Sequence, residues 1–337
     1  NGRIDLTQAE AIIDIIEAKT EDSLSLAVAQ LDGTVSSFVK DVREQLIAMI
    51  AHLEVTIDYP EEDIEDVTSQ EVREQLQPIL KAMDELLSTA NTGRLIRDGI
   101  TTVIVGRPNA GKSSLMNALL RENRAIVTDI PGTTRDSIEE YMTVEGISLR
   151  LIDTAGIRDT QDTVEALGVE RARDYINKAD IVLCVIDGST PLNSEEIEIL
   201  TSVSGLNTIV LLNKSDVAQV VTDENIKEHG TFTAIERISA KEGEGSAVLS
   251  KWVQELVYGG RVKQDNSAMI SNVRHISLME QAKAQVEQAL SSIDMGMPVD
   301  FEATDLRSAW ELLGDITGDT IRESMIDELF SRFCLGK

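Results

Sequence analysis

The chain has 337 residues, 42% of them hydrophobic, which is enough for two domains with cores of their own. Its 31 basic and 59 acidic residues leave a net charge of −28, which argues against nonspecific nucleic-acid binding unless a local basic patch or a second protein supplies the contact. No apolar run reaches the ~20 residues of a membrane span, and two cysteines far apart, Cys184 and Cys334, argue against a disulfide framework and suit a reducing, cytoplasmic setting.

The first residue is Asn1 rather than Met, so an N-terminal piece is expected to precede it. Residues 1 to about 97 read as helical. Val35, Val39, Val42, Leu46, Met49 and Leu53 recur every three or four positions, the mark of a one-faced helix. Val72, Leu76, Ile79, Leu80, Met83, Leu86 and Ala90 repeat the pattern, with Pro78 expected to mark a kink or a late start. Between these helices lie Tyr59-Pro60 and the acidic run Glu61–Asp66, a solvated loop or, alternatively, a docking surface for a basic partner.

Residues 98 to about 260 change character. Short β-branched runs at 103–105, 149–152, 181–186, 209–212 and 237–239 alternate with helical stretches, the rhythm of a mostly parallel sheet. Residues 137–144 and 147–152, joined at Glu145-Gly146, read as a hairpin that adds one antiparallel edge strand. Residues from about 261 to 337 turn helical again, over 267–293, 304–313 and 324–333. The fold expected is therefore an α/β domain, 98–260, with a mostly parallel sheet, inserted into an all-α domain built from 1–97 and 261–337.

The chemistry begins at Gly106-Arg-Pro-Asn-Ala-Gly-Lys-Ser113, which follows an apolar strand and opens a helix. This is the context of a phosphate-binding loop: glycines let the backbone curl, and the helix N-terminus favours negative charge. Residues Asn109, Ala110, Gly111, Lys112, Ser113 and Ser114 form the candidate phosphate set. Lys112 is expected on the β- and γ-phosphates, and the Ser113 hydroxyl on Mg²⁺. Asp153-Thr-Ala-Gly156 ends a strand, with Asp153 expected to hold Mg²⁺ through water and the Gly156 N–H to meet the γ-phosphate; Thr154 and Ala155 complete that turn. Asn213-Lys-Ser-Asp216 selects guanine, because the Asp216 carboxylate accepts from both N1–H and the N2 amino group, a donor pair adenine lacks. Asn213 and the stem of Lys214 are expected to brace this loop and cover the base. Ser239-Ala240-Lys241 follows another strand, with a backbone N–H toward guanine O6. Each of these turns alone is weak; all four in order, each at its expected place, point to GTP and make the fold expected over 98–260 an α/β P-loop GTPase domain.

Between the first two motifs lies Thr128-Asp-Ile-Pro-Gly-Thr-Thr-Arg-Asp136. Asp129, Ile130, Pro131 and Gly132 belong to the candidate nucleotide set, and Thr134 is the candidate switch threonine, its hydroxyl on Mg²⁺ and its N–H on the γ-phosphate. Ile157 follows the Asp153–Gly156 turn where Ras-type GTPases carry a water-orienting Gln, so hydrolysis here needs another positioning group and another counter-charge. Arg135 and Arg158 hold the switches or a partner, or are simply solvated. His52, His229 and His275 lack ligand spacing, so no zinc site is expected.

Over essentially all its length the chain resembles the bacterial MnmE (TrmE) family of tRNA-modification GTPases. The resemblance rests on Asn1-Gly-Arg-Ile-Asp-Leu-Thr-Gln-Ala-Glu10, Ile57-Asp-Tyr-Pro-Glu-Glu62, Gly132-Thr-Thr-Arg-Asp136 and the ending Phe333-Cys-Leu-Gly-Lys337. It implies a preceding tetrahydrofolate-binding domain that also dimerises the protein. It implies K⁺ held by Asn109 with oxygens of Thr128, Ile130 and Thr133, supplying the charge of an arginine finger. It implies Glu165 as the acid that orients the attacking water, acting with Lys112 and Thr134. It implies Arg3 and Lys337 at the folate, and Cys334 near the site of modification. The family works as a homodimer joined by an FAD-containing MnmG-type partner in a heterotetramer, most of the tRNA contact falling to that partner. Together they place an aminomethyl or carboxymethylaminomethyl group on C5 of the wobble uridine, the carbon coming from a methylene-tetrahydrofolate. The alternative reading is a K⁺-dependent switch in ribosome assembly, similar to Era or Der; a third is a binding module with negligible turnover. The acidic helical flanks and the Cys-Leu-Gly-Lys tail speak against the ribosomal alternative.

Overall fold

The computed structural model describes residues 4–58, 69–123, 139–153, 173–259 and 268–319. The chain forms two compact units, one from Asn1–Arg97 with Gln264–Lys337, the other from Asp98–Lys263.

The first unit opens with α1 (Leu6–Glu17) and α2 (Glu21–Leu31), each started by a reciprocal cap: Asp5 with Gln8, and Thr20 with Ser23. Both helices are inverted in polarity. α1 buries Thr7, Ala11 and Asp14 while Ile12, Ile13 and Ile16 face solvent; α2 buries Ser23, Ala27 and Gln30 while Leu24 and Val28 are exposed. Hydrogen bonds make this burial tolerable: Thr7 and Ser36 hydroxyls meet at 2.6 Å, the Gln30 amide donates to Ser271 Oγ at 2.6 Å, and Arg97 donates to Asp14 at 2.8 Å. The long α3 (Thr34–Asp58) follows, then α4 (Ser69–Leu87) and α5 (Ala90–Asp98). α4 begins nine residues before Pro78, so the proline does not mark a late start; it sits exposed in the helix interior. Burial of Val72, Leu76, Ile79, Met83 and Leu86 carries the helix through the missing bond at the proline.

The second unit is a six-stranded sheet in the order β2-β3-β1-β4-β5-β6. Its strands are β1 (Ile100–Val105), β2 (Glu139–Val144), β3 (Ile147–Asp153), β4 (Ile181–Asp187), β5 (Thr208–Asn213) and β6 (Ala234–Arg237). All pairs are parallel except β2 with β3, the edge hairpin. Glu145 and Gly146 both take positive φ, 51° and 80°, the two-residue turn that suits strand twist. β4 and β5 are buried at every position, as parallel strands covered on both faces must be. Cys184, in β4, is fully buried and its thiol is pushed up to about 12 by that burial and by Glu196, so it packs as a core residue. β6 begins three residues earlier and ends two residues earlier than the sequence suggests. Ile238 N still donates to Leu212 O of β5 at 3.0 Å, but Ile238 O accepts from Ser215 N at 3.0 Å and Ser239 N donates to the Glu244 carboxylate at 2.8 Å, so the pairing ends there. Around the sheet lie α6 (Lys112–Asn123), a helical stretch at 173–178, α7 (Ser194–Ser202), α8 (Asp223–Lys227) and α9 (Gly245–Tyr258).

The chain then returns to the first unit with α10 (Val273–Asp294) and α11 (Val299–Thr317); the latter extends further at both ends than its apolar pattern indicates. Val39, Leu46, Ile50, Leu76, Val286 and Leu313 anchor a core shared by α3, α4, α10 and α11. Arg43 lies 4.1 Å from the centroid of the Trp310 ring and pairs with Asp319 at 2.7 Å. Where the chain leaves this unit and where it comes back are neighbouring points. Ile270 N donates to Thr89 Oγ1 at 3.1 Å, and a Cβ on Gly93 would stand 2.4 Å from Ile270 O. Among the described residues no helix is long and apolar enough to cross a membrane. The acidic run 61–66 and the helix expected at 324–333 lie outside the described residues.

Candidate nucleotide site

The loop of residues 106–111 leaves the carboxyl end of β1 and enters α6. Two of its glycines are forced. Gly106 has φ 151°, and a Cβ there would stand 2.3 Å from Val185 O on the neighbouring strand. Gly111 has φ 106°, and a Cβ there would stand 2.0 Å from the side-chain nitrogen of Asn213. Asn109 takes the left-handed conformation, φ 65°, and is exposed next to buried Ala110. Lys112, 6% exposed, arches back over the loop: its ammonium donates to Gly106 O at 2.7 Å and to Arg107 O at 2.8 Å. That fixes one positive charge inside the curl. Ser113 and Ser114 are exposed on the first turn of α6, whose first N–H groups have no partner within the helix. The arrangement suits a polyphosphate: a cation, a helix N-terminus and backbone close enough to touch it.

The second loop leaves β5. Asn213, 3% exposed, ties three loops together: its amide donates to Ala110 O at 2.8 Å, and its carbonyl oxygen accepts from Ala240 N at 3.0 Å. Asp216 accepts from the Ser239 hydroxyl at 3.0 Å, with Lys241 Nζ 3.9 Å from its other oxygen. Lys214 is left-handed, φ 66°, and is braced twice, by its ammonium on Asp187 at 2.6 Å and by the Gln219 amide on its carbonyl at 2.7 Å. These loops all follow carboxyl ends of parallel strands, where open α/β sheets receive their ligands. Asp153 closes β3, its backbone in register with Ile104 of β1.

The structure thus brings together Asn109, Ala110, Gly111 and Lys112 with Asn213, Lys214, Asp216, Ser239, Ala240 and Lys241. Other expected site residues lie outside the described residues: Thr128, Asp129, Ile130, Pro131, Gly132, Thr133, Thr134, Thr154, Ala155, Gly156, Glu165, Arg3, Cys334 and Lys337, as do Arg135, Ile157 and Arg158. Sequence reasoning missed Asp187, Arg107 and Glu196, which form a buried charged cluster beside the phosphate loop. The one available signal was an Asp ending an otherwise apolar strand.

The family profile of the MnmE helical domain matches residues 6–334. The tRNA modification GTPase MnmE of Geobacillus thermodenitrificans is 50% identical over the whole of this chain, which spans 73% of that relative; MnmE of Bacillus subtilis is 46% identical, with 74% of it spanned. Among solved structures, an Era variant of Aquifex aeolicus bound to GDP.AlF4- is 26% identical, with a TM-score of 0.36 over 55% of this chain and 66% of that one. The profile match over residues 6–334 and the 46–50% identity to these MnmE relatives over the whole chain lead to one conclusion: the chain belongs to the MnmE family of tRNA modification GTPases.

Proposed function

We propose that this GTPase runs a K⁺-stimulated, Mg²⁺-dependent hydrolytic cycle that drives modification at C5 of the wobble uridine of tRNA. The observation that supports it best is Asn213, held between Ala110 O of the phosphate loop and Ala240 N of the third loop. That fastening sets a guanine-reading carboxylate, Asp216, at a fixed distance from a phosphate cradle, as one nucleotide spanning both requires.

Within this reading Lys112 neutralises the β- and γ-phosphates, and the glycines let the backbone close on them. Ser113 and Thr134 are the direct Mg²⁺ ligands and Asp153 an outer one. Asn109 presents an exposed amide oxygen on a left-handed turn inside the phosphate loop, a donor that suits a monovalent cation. Thr128, Ile130 and Thr133 are its proposed companions. The two ions supply positive charge where it develops on the phosphoryl oxygens. Glu165 orients the attacking water in place of the Gln that Ile157 replaces. Arg3 and Lys337 contact a tetrahydrofolate donor and Cys334 stands near the modification site. The homodimer, the FAD-containing partner and the tRNA complete the assembly, and the charge of −28 leaves most of the tRNA contact to that partner.

The test has two arms. GTP hydrolysis measured in matched KCl and NaCl buffers containing MgCl₂ should be at least tenfold faster in K⁺; equal rates remove the potassium site. Wobble uridines in tRNA from cells lacking the protein should lose their C5 substituent, and an unchanged nucleoside profile would refute the modification role.

A further inference from the structure

Asp187 closes β4 at 4% exposure, and no nucleotide role assigned so far uses it. Its carboxylate is fully engaged. One oxygen accepts from Lys214 Nζ at 2.6 Å and from Arg107 Nη2 at 3.3 Å; the other accepts from the Ser189 hydroxyl at 2.6 Å and Ser189 N at 3.1 Å. Burial favours the neutral acid, but the bonds from Lys214 and Ser189 outweigh it and hold the carboxyl below its ordinary range.

The two cations belong to different loops. Arg107 sits in the phosphate loop, and its own carbonyl is one of the two that receive Lys112. Its guanidinium is aimed by fully buried Glu196 at 2.7 Å and by the Thr190 hydroxyl at 3.1 Å. Lys214 sits in the base loop, in a left-handed conformation that a side chain with a Cβ holds only under constraint. Asp187 is therefore a charged bridge between the loops, independent of the neutral Asn213 bridge. A buried charge of this kind is costly unless both partners stay in place, so it opposes separation of the two loops.

We propose that Asp187 is a positioning residue for the nucleotide: it fixes the Lys214 stem for covering the base and holds that loop at a set distance from the phosphate loop. The proposal rests on the reading that residues 213–216 receive guanine. It concerns a residue that touches no nucleotide atom itself and works through Lys214 and Arg107.

The experiment uses the full chain loaded with GDP. Asp187→Asn keeps the size and removes the charge. Release of GDP, followed after mixing with excess GTP, is expected to quicken about tenfold, and KM for GTP is expected to rise by a larger factor than kcat falls. Because release is read from loaded molecules, unfolded protein does not contribute. On a Lys214→Met background the same Asp187→Asn change should alter release less than twofold, since the bridge is already broken. Asp187→Glu, which retains the charge, should release GDP more slowly than Asp187→Asn. Release within twofold of the parent protein, equal acceleration on both backgrounds, or the reverse order of the Glu and Asn variants overturns the proposal. Asp216→Asn tests the underlying reading separately: preference should pass from GTP to XTP. Absence of that shift sinks the guanine assignment, whereas failure of the Asp187 proposal alone leaves the shift intact.

Discussion

At the scale of single residues, Gly111 is tightly constrained within the candidate nucleotide site. A methyl there would lie 2.0 Å from the Asn213 amide, so Gly111→Ala must displace the side chain that joins three loops. GTP affinity should fall at least tenfold by equilibrium titration, because positive φ and lost bracing act together. Glu302 gives a residue-scale prediction of another kind. It is fully buried in α11 with one oxygen accepting from Ser69 Oγ at 3.0 Å and the other without a hydrogen-bond partner among the described residues. Burial raises its pKa above the ordinary 4.5, against the smaller opposing effect of Ser69. A raised folded value means the fold prefers the protonated acid. The contribution to stability is whole below the unfolded value and is lost as pH rises through the folded one. Glu302→Gln should therefore raise the thermal midpoint at pH 8, and the gain should vanish near pH 4. Candidate residues with a fixed motif spacing, such as Lys112, Asn213 and Asp216, could be named from the sequence, and the structure brings their loops together. Asp187, Arg107 and Glu196 could not be, because their pairing is made by the fold across 80 or 89 positions and no spacing announces it.

At the scale of elements, strands read well from sequence and their limits did not. β4 and β5 are uninterrupted apolar runs because both faces are covered, and such runs are hard to mistake for loops. The end of β6 reads too late from the sequence because the chain stays buried beyond it: Ile238 N still donates to Leu212 O of β5, whereas Ser239 N and Ala240 N turn to the Glu244 and Asn213 side chains. α1 and α2 evade pattern reading for a different reason: they bury Thr7, Asp14, Ser23 and Gln30 and leave isoleucines outside, the opposite of the usual stripe. α4 shows what packing overrides. Pro78 denies Glu74 O its helical hydrogen bond, at a cost of up to ~3 kcal/mol, while the apolar face keeps the helix whole. Pro78→Ala restores that bond but loses the proline's restraint on the unfolded chain, worth ~0.4–1 kcal/mol. The net expectation is a gain of about 1–2 kcal/mol in urea unfolding of the helical unit.

At the scale of the whole molecule, the two units differ in how they can be separated. Every described residue of the candidate nucleotide site falls within Asp98–Lys263, which has its own sheet and its own core. A fragment of residues 98–263 should melt cooperatively and bind GDP within about threefold of the full chain, as measured by calorimetry. The helical unit cannot be cut so simply, because α3 and α4 share their core with α10 and α11 from the far end of the chain. That interleaving was legible as a helical–α/β–helical succession, since the periodicity of side chains changes twice along the sequence. The contact of Gly93 with Ile270 gives the interleaving a further meaning. Seen from the helices, the entire GTPase is one loop whose two ends are pinned side by side. While that loop is folded it behaves as a short clasp. Were it to unfold, the clasp would become a long tether, and although each doubling of tether length costs only ~0.6 kcal/mol in closure entropy, that penalty falls wholly on the helices. A nucleotide that keeps the insert folded therefore also protects the helices on either side of it in the sequence.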